Sequence, residues 1–118
     1  MPKVQFKKRK ETLFFSVINR NENDKSFEDM FCEARRDGEF DVEFHYLIHR
    51  DGKIDKGREE DTIGGRRLPS NEVSIFIVVD VDKTHERTDA QKVAVVRLLD
   101  KLRKKYPKAS GVLTYDIY

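Results

Sequence analysis

Few side chains in this 118-residue chain could do chemistry. The histidines are His45, His49 and His85, and Cys32 is the one cysteine. His45 and His49 sit four positions apart in the stretch Phe44-His45-Tyr46-Leu47-Ile48-His49, which alternates as a strand. At ~3.3 Å per residue they share a face but stand about 13 Å apart, too far to hold one ion. His85 falls in a separate charged turn. A catalytic zinc takes three protein ligands and keeps a fourth position for water. The histidines do not supply that set, and Asp116 would add a single carboxylate. Cys32 has no neighbouring base to make it a nucleophile and reads as an inert small residue. Being alone, it forms no internal disulfide. A different chemistry is offered by Arg66 and Arg67, whose planar five-donor forks suit phosphate or carboxylate. They follow Gly64-Gly65, a backbone shaped for close approach. Solvated loop charges paired with Glu59, Glu60 or Asp61 is the alternative for these arginines.

The elements that position these residues centre on the stretch from Asp41 to Ile75. Phe44, Tyr46 and Ile48 are expected on one strand face, with His45, Leu47 and His49 on the other. Both faces are bulky, which predicts a strand covered on both sides. Asp51-Gly52 signals a tight hairpin, and the short return strand ends at Gly57. Residues 58 to 71 read as irregular, because Gly64-Gly65 and Pro69 forbid a regular element. Val73 to Val81 reads as a second buried strand.

Elsewhere the pattern is plain. Met1 to Thr12 is a basic arm carrying Lys3, Lys7, Lys8, Arg9 and Lys10. It reads first as a solvated edge that discourages strand pairing; contact with a protein or nucleic acid stays open. Leu13 to Ile18 is a predicted strand. Ser26 is a helix N-cap with Asp29 three residues on. Phe27, Met30, Phe31 and Ala34 follow at helical spacing, and Gly38 closes the helix. Thr88 caps a last helix through a T-x-x-Q box with Gln91, and Val95, Leu98, Leu99, Leu102 and Tyr106 form its buried stripe. Pro107 stops it, and Gly111 to Tyr115 is a final strand. The chain is one domain, 1–118, of α/β class, with a mixed central sheet of about five strands flanked by helices.

The segments FHYLIHRDGKIDKGRE and NEVSIFIVV resemble the zinc-dependent N-acetylmuramoyl-L-alanine amidases, which share a fold with the peptidoglycan-recognition proteins. The likeness is strongest to the amidase-type lysozymes of phages. VQFKKRKET resembles their N-terminal arm, and DAQKVAVVRLLDKLRKKYP their late helix. The resemblance implies a first zinc ligand within Ser16 to Asn19 and a second near Tyr115 or Asp116. A third ligand, with a basic residue that stabilises the oxyanion, would lie beyond the last residue. It puts the catalytic tyrosine at Phe44 and a loop histidine at Arg66 or Arg67. No residue from Ser16 to Asn19 is histidine, so neither metal nor cofactor is expected. A pseudoenzyme follows, with a former active-site cleft bordered by Asn19, Arg20, Phe44, His45, Arg66, Arg67 and Tyr115.

The expected function is capture of a small anionic, nucleotide-like ligand such as a host defence signal, or of a muropeptide-like ligand. One alternative is inhibition of an RNA-polymerase-type partner through the basic arm, since some phage lysozymes bind such an enzyme. Another is an active amidase. Self-association stays open. Composition adds bounds. The charged fraction of 39% is offset by eight Phe, which argues against disorder. Twenty-four basic against 22 acidic residues leave a net charge of +2, which does not announce a nucleic-acid binder. No apolar run reaches a membrane span, and no signal-peptide pattern precedes the first strand. A cytoplasmic setting, in the host if phage-encoded, is the expectation.

Overall fold

The computed structural model describes residues 7–37, 42–64, 71–109 and 111–117. Among the described residues five strands and two α-helices follow one another: β1 (Phe14–Arg20), α1 (Phe27–Arg36), β2 (Tyr46–Ile48), β3 (Ile54–Lys56), β4 (Ser74–Asp80), α2 (Asp89–Lys105) and β5 (Gly111–Ile117). The sheet order is β3-β2-β4-β1-β5. β4 runs parallel to both neighbours, with Ser16 opposite Phe76 and Leu47 opposite Val78. β5 is parallel to β1, and only β3 is antiparallel, to β2. The mixed five-stranded sheet flanked by helices is the fold expected from the sequence. Among the described residues no helix is long and apolar enough to cross a membrane.

The alternation of side chains along a strand divides the interior in two. On the α2 side Phe15, Val17, Tyr46, Ile48, Ile75, Ile77 and Val79 pack against Val95, Leu98, Leu99 and Leu102. On the α1 side Ile18, Phe44, Leu47, Phe76 and Val78 pack against Met30, with Phe27, Phe31 and Tyr115 at the edge. All seven residues of β4 are buried, as befits a parallel strand covered on both faces.

The structure corrects one expectation inside the hairpin. Phe44 does not share a face with Tyr46 and Ile48 but joins Leu47 on the α1 side. Regular strand begins only at Tyr46, because the backbone bends at His45 and breaks the two-residue period. Element ends also moved. β1 continues to Arg20, and β5 to Ile117, since both stay in register with each other past the predicted ends. A 3-10 turn over Asn71–Val73 precedes β4. Gly38, expected to end α1, lies outside the described residues; the C-cap is Asp37.

Both helix starts follow the sequence. Ser26 accepts from the Asp29 amide, 3.1 Å. The Thr88 hydroxyl accepts from the Gln91 backbone amide, while the Gln91 side-chain Oε1 accepts from the Thr88 backbone amide. Gln91 is fully buried, and its Nε2 donates to the Asp80 carbonyl at 2.6 Å, tying the start of α2 to the end of β4. The Thr88 hydroxyl also donates to the Arg50 carbonyl at 2.7 Å, so one residue fixes α2 to the hairpin. Thr88→Ala removes both bonds and is expected to lower stability by about 1–2 kcal/mol. Urea unfolding of the two proteins side by side checks this; equal midpoints would show that the cap adds nothing.

Candidate functional site

β1, β2 and β4 leave the sheet in one direction, so their C-terminal ends bring polar residues together along a single edge. Asn19, one residue from the end of β1, is 7% exposed. Its Nδ2 donates to Asp116 Oδ1 of β5 at 2.8 Å, and its Oδ1 accepts from Arg87 Nε at 2.8 Å. Asn19 therefore bridges a cation and a carboxylate from the turn before α2 and the last strand.

Arg20 points to the other face of β1. It pairs with Glu22 and Glu43. Burial works against its charge, but the two carboxylates outweigh burial and push its pKa up. Burial pushes the Glu22 carboxyl up in turn, against the pull of Arg20. Arg20 and Phe44 line a cleft of about 260 Å³ beside α1, together with Glu22, Glu33, Glu43 and Arg58. Arg58 reaches back to the Val42 and Ile63 carbonyls at 2.8 and 3.1 Å, which braces the loop behind the cleft.

His45 is 1% exposed. The Phe76 amide donates to its Nδ1 at 2.9 Å, so the ring proton sits on Nε2 and is donated to the Thr62 carbonyl at 2.7 Å. Burial, reinforced by the cations of Arg9 and Arg58, pushes its pKa down from the ordinary 6.5 to about 4. His49 instead pairs with Asp55, 2.6 Å apart, on a second and wider cleft of about 860 Å³ between the hairpin and the start of α1.

Of the residues expected to border one cleft, Arg20 and Phe44 come together. Asn19 serves the strand-end chain, His45 lies in the interior, and Tyr115 packs at the rim of the α1-side core. Arg66 and Arg67 lie outside the described residues. Of the arm, Lys8 pairs with Asp61 at 2.8 Å, while Arg9 bonds Thr12 and the Thr62 carbonyl and sits 5.7 Å over the Tyr106 ring. Lys7 and Lys10 are exposed, and Lys3 is outside the described residues. Cys32 is exposed.

Sequence reading missed Arg87, Glu22 and Glu43, which sit in turns and bends without periodicity. It also missed the hub at Glu60, whose carboxylate accepts from Tyr46, from Tyr106 at 2.6 Å and from Lys105 at 2.8 Å. Burial would raise the Glu60 pKa, but these donors overcome it and hold the pKa near about 2.

The described residues do not fit a zinc centre of the amidase kind. Ser16, Val17 and Ile18 offer no imidazole, and Asn19 and Asp116 already bond each other. Both nitrogens of His45 are engaged. Among the described residues no three His, Cys, Asp or Glu side chains gather as a metal would require.

No family model matches the chain. An endolysin of Enterobacteria phage K11 is 31% identical over 126 residues, covering 99% of this chain and 83% of the relative. An endolysin of Klebsiella phage KP32 is 29% identical over the same coverage. Among solved structures, an N-acetylmuramoyl-L-alanine amidase from Clostridium intestinale superposes with a TM-score of 0.76 at 19% identity, covering 97% of this chain and 83% of its own. A complex of peptidoglycan recognition proteins LCa and LCx, bound to tracheal cytotoxin, gives 0.76 at 18% identity, with 96% and 75% covered.

The buried imidazole makes stability depend on pH. Above pH 6.5 His45 is neutral whether the chain is folded or not. Below it the unfolded chain takes up a proton that the folded protein refuses until about pH 4, so stability falls across that window. The loss attributable to His45 is about 3 kcal/mol at most. His45→Gln cannot titrate and should be less stable at neutral pH but lack this share of the slope. Urea unfolding of both proteins from pH 7 to 4.5 tests it; parallel curves would refute the assignment.

Proposed function

This chain belongs to the family of phage endolysins, and we propose that within it the protein binds a peptidoglycan-derived ligand in the Arg20–Phe44 cleft without hydrolysing it. The observation that carries the proposal is the strand-end chain Arg87–Asn19–Asp116. Its mutually satisfied groups, Asn19 and Asp116, fall at the edge of the two stretches, Ser16 to Asn19 and Tyr115 or Asp116, where the family resemblance sets metal ligands. The phenyl ring of Phe44, which lacks the hydroxyl that the resemblance sets there, supports the same reading.

The cleft's charges favour one ligand class. Arg20 and Arg58 stand among Glu22, Glu33, Asp37 and Glu43. A lining of both signs with carboxylates in excess suits a ligand that carries amine and carboxylate together, as the peptide stem of a muropeptide does. The superposable complex of peptidoglycan recognition proteins LCa and LCx was solved with tracheal cytotoxin, which lends weight to this class. A nucleotide-like anion is the second reading, supported by the Arg20 fork. It would displace Glu22 or Glu43 from Arg20 without bringing an amine to meet the released carboxylate, so it ranks lower.

Thermal-shift titration of the protein with disaccharide-peptide muropeptides and, separately, with cyclic dinucleotides and ADP-ribose derivatives separates the two. The muropeptides should raise the melting temperature; at a hundred times Kd the stabilisation is about 2.7 kcal/mol. Arg20→Ala should weaken that binding about tenfold, roughly 1.4 kcal/mol. Stabilisation by nucleotides alone would shift the ligand class. Release of peptide from purified peptidoglycan, abolished by a chelator and accompanied by stoichiometric zinc, would overturn the non-hydrolytic reading.

A further inference from the structure

α2 buries Gln91, Ala94, Val95, Leu98, Leu99 and Leu102 against the sheet. Its outward face is not uniformly polar. Val93 is 50% exposed and Val96 66%. Ile54, across the hairpin from Ile48, is 37% exposed and joins Val93 in the wall of one shallow groove. A single exposed valine needs no explanation, but an apolar strip spanning two elements does.

The charges flanking the strip say what could cover it. Reading outward from Val96, the chain places Lys92 and Asp89 toward the start of the helix and Asp100 and Arg103 toward its end. At these four positions, four and seven residues from Val96 and so on its face of the helix, each side carries one acid and one base, in mirror order. We infer that α2 forms a two-fold symmetric, antiparallel contact with α2 of a second copy, centred on Val96. In this register Lys92 faces the partner's Asp100, and Asp89 faces the partner's Arg103. The symmetry repeats both pairs, giving four opposite-charge contacts around a Val96–Val96 centre. The groove rimmed by Asp51 and Asp89 lies where the partner's Arg103 arrives. Antiparallel helices also oppose their dipoles favourably.

The charges reject the register that apolar contact alone would choose. Centring the pair between Val93 and Val96 would bury more valine surface. It would also set Asp89 against Asp100 and Lys92 against Arg97, like charge on like charge. Asp89, Lys92 and Asp100 are exposed, with side chains 104%, 65% and 69% accessible. Their bonds within the helix, Lys92 to Asp89 at 3.9 Å and Lys104 to Asp100 at 3.5 Å, are of the weak surface kind that exchange readily.

Sedimentation equilibrium of the full chain across a wide concentration range tests the inference. The expected result is a concentration-dependent dimer that Val96→Asp weakens at least tenfold. Lys92→Glu and Asp100→Lys should each weaken it, and the double variant should restore it. Melting curves at dilute concentration check that each variant still folds; all the substituted side chains are on the solvent face. A monomer at the highest soluble concentration overturns the proposal. A dimer that ignores Val96→Asp, or one that the double variant fails to rescue, overturns it equally.

Discussion

A backbone amide in the middle of a sheet buried on both faces has to find an acceptor inside the protein, and at Phe76 that acceptor is a side chain. The Phe76 carbonyl takes the His45 amide at 3.0 Å, as a parallel ladder would arrange. Its own amide meets the His45 ring nitrogen, because the chain bends there and presents no carbonyl in register. Leaving such an amide unmade would cost about 1–3 kcal/mol. Only a neutral imidazole can accept, so the protein must keep His45 uncharged. Burial does most of this, and the nearby cations of Arg9 and Arg58 oppose a third positive charge. The ring stacks on Phe76 with centroids 6.0 Å apart and planes nearly parallel, which fixes its orientation.

From that ring the rest of the irregular segment follows. The Nε2 proton goes to the Thr62 carbonyl, whose other partner is Arg9 from the N-terminal arm. The arm is therefore stitched to the loop, with the Arg9 amide bonding Asp61 and the Ile63 amide bonding Lys7. Two residues away, Glu60 gathers Tyr46, Tyr106 and Lys105 from β2 and α2. A glycine is required at Gly64, where a Cβ would fall 2.3 Å from the Phe76 ring, and at Gly57, where it would meet the Phe44 carbonyl at the same distance. The described part of this loop is thus held by polar anchors on one side and by steric closeness on the other.

The regular part of this architecture was legible in the sequence because it rests on local rules. Ser26, Thr88 and Gln91 announce helix starts through bonds three residues long, and the apolar run Ile75 to Val79 of β4 announces its two covered faces. The bend at His45 was not legible. It substitutes a ring nitrogen for a carbonyl, and no pattern of hydrophobicity encodes that exchange. The cleft was half legible. Arg20 and Phe44 were found, but Glu22 and Glu43, which neutralise Arg20, lie in segments where nothing repeats. Asn19 was placed with them, yet adjacent residues on a strand face opposite sides. It joins Arg87, 68 positions away, in a pairing that only the folded chain creates. Sequence spacing identifies which residue types are present; the alternation of the strand decides which of them meet.

That alternation bears on what the strand-end edge can do. β1 sends Asn19 to one face and Arg20 to the other, so neighbouring residues serve two separate polar systems. On the α2 side the amide of Asn19 has its oxygen and its nitrogen both bonded, to Arg87 and Asp116. On the α1 side Arg20 is held by two carboxylates whose lone pairs are directed at it. Hydrolysis by a metal-bound water needs donors whose lone pairs are open to the ion. Recognition asks for something else, groups that can trade one partner for an equivalent one. Arg20 can exchange Glu22 or Glu43 for a ligand carboxylate at nearly constant charge, and the released protein carboxylate can meet a ligand amine. A site built from exchangeable pairs discriminates by how well the newcomer reproduces both halves of the pair. That is why the balance of Arg20 against its two glutamates, and not the arginine alone, sets the ligand class on the proposed reading.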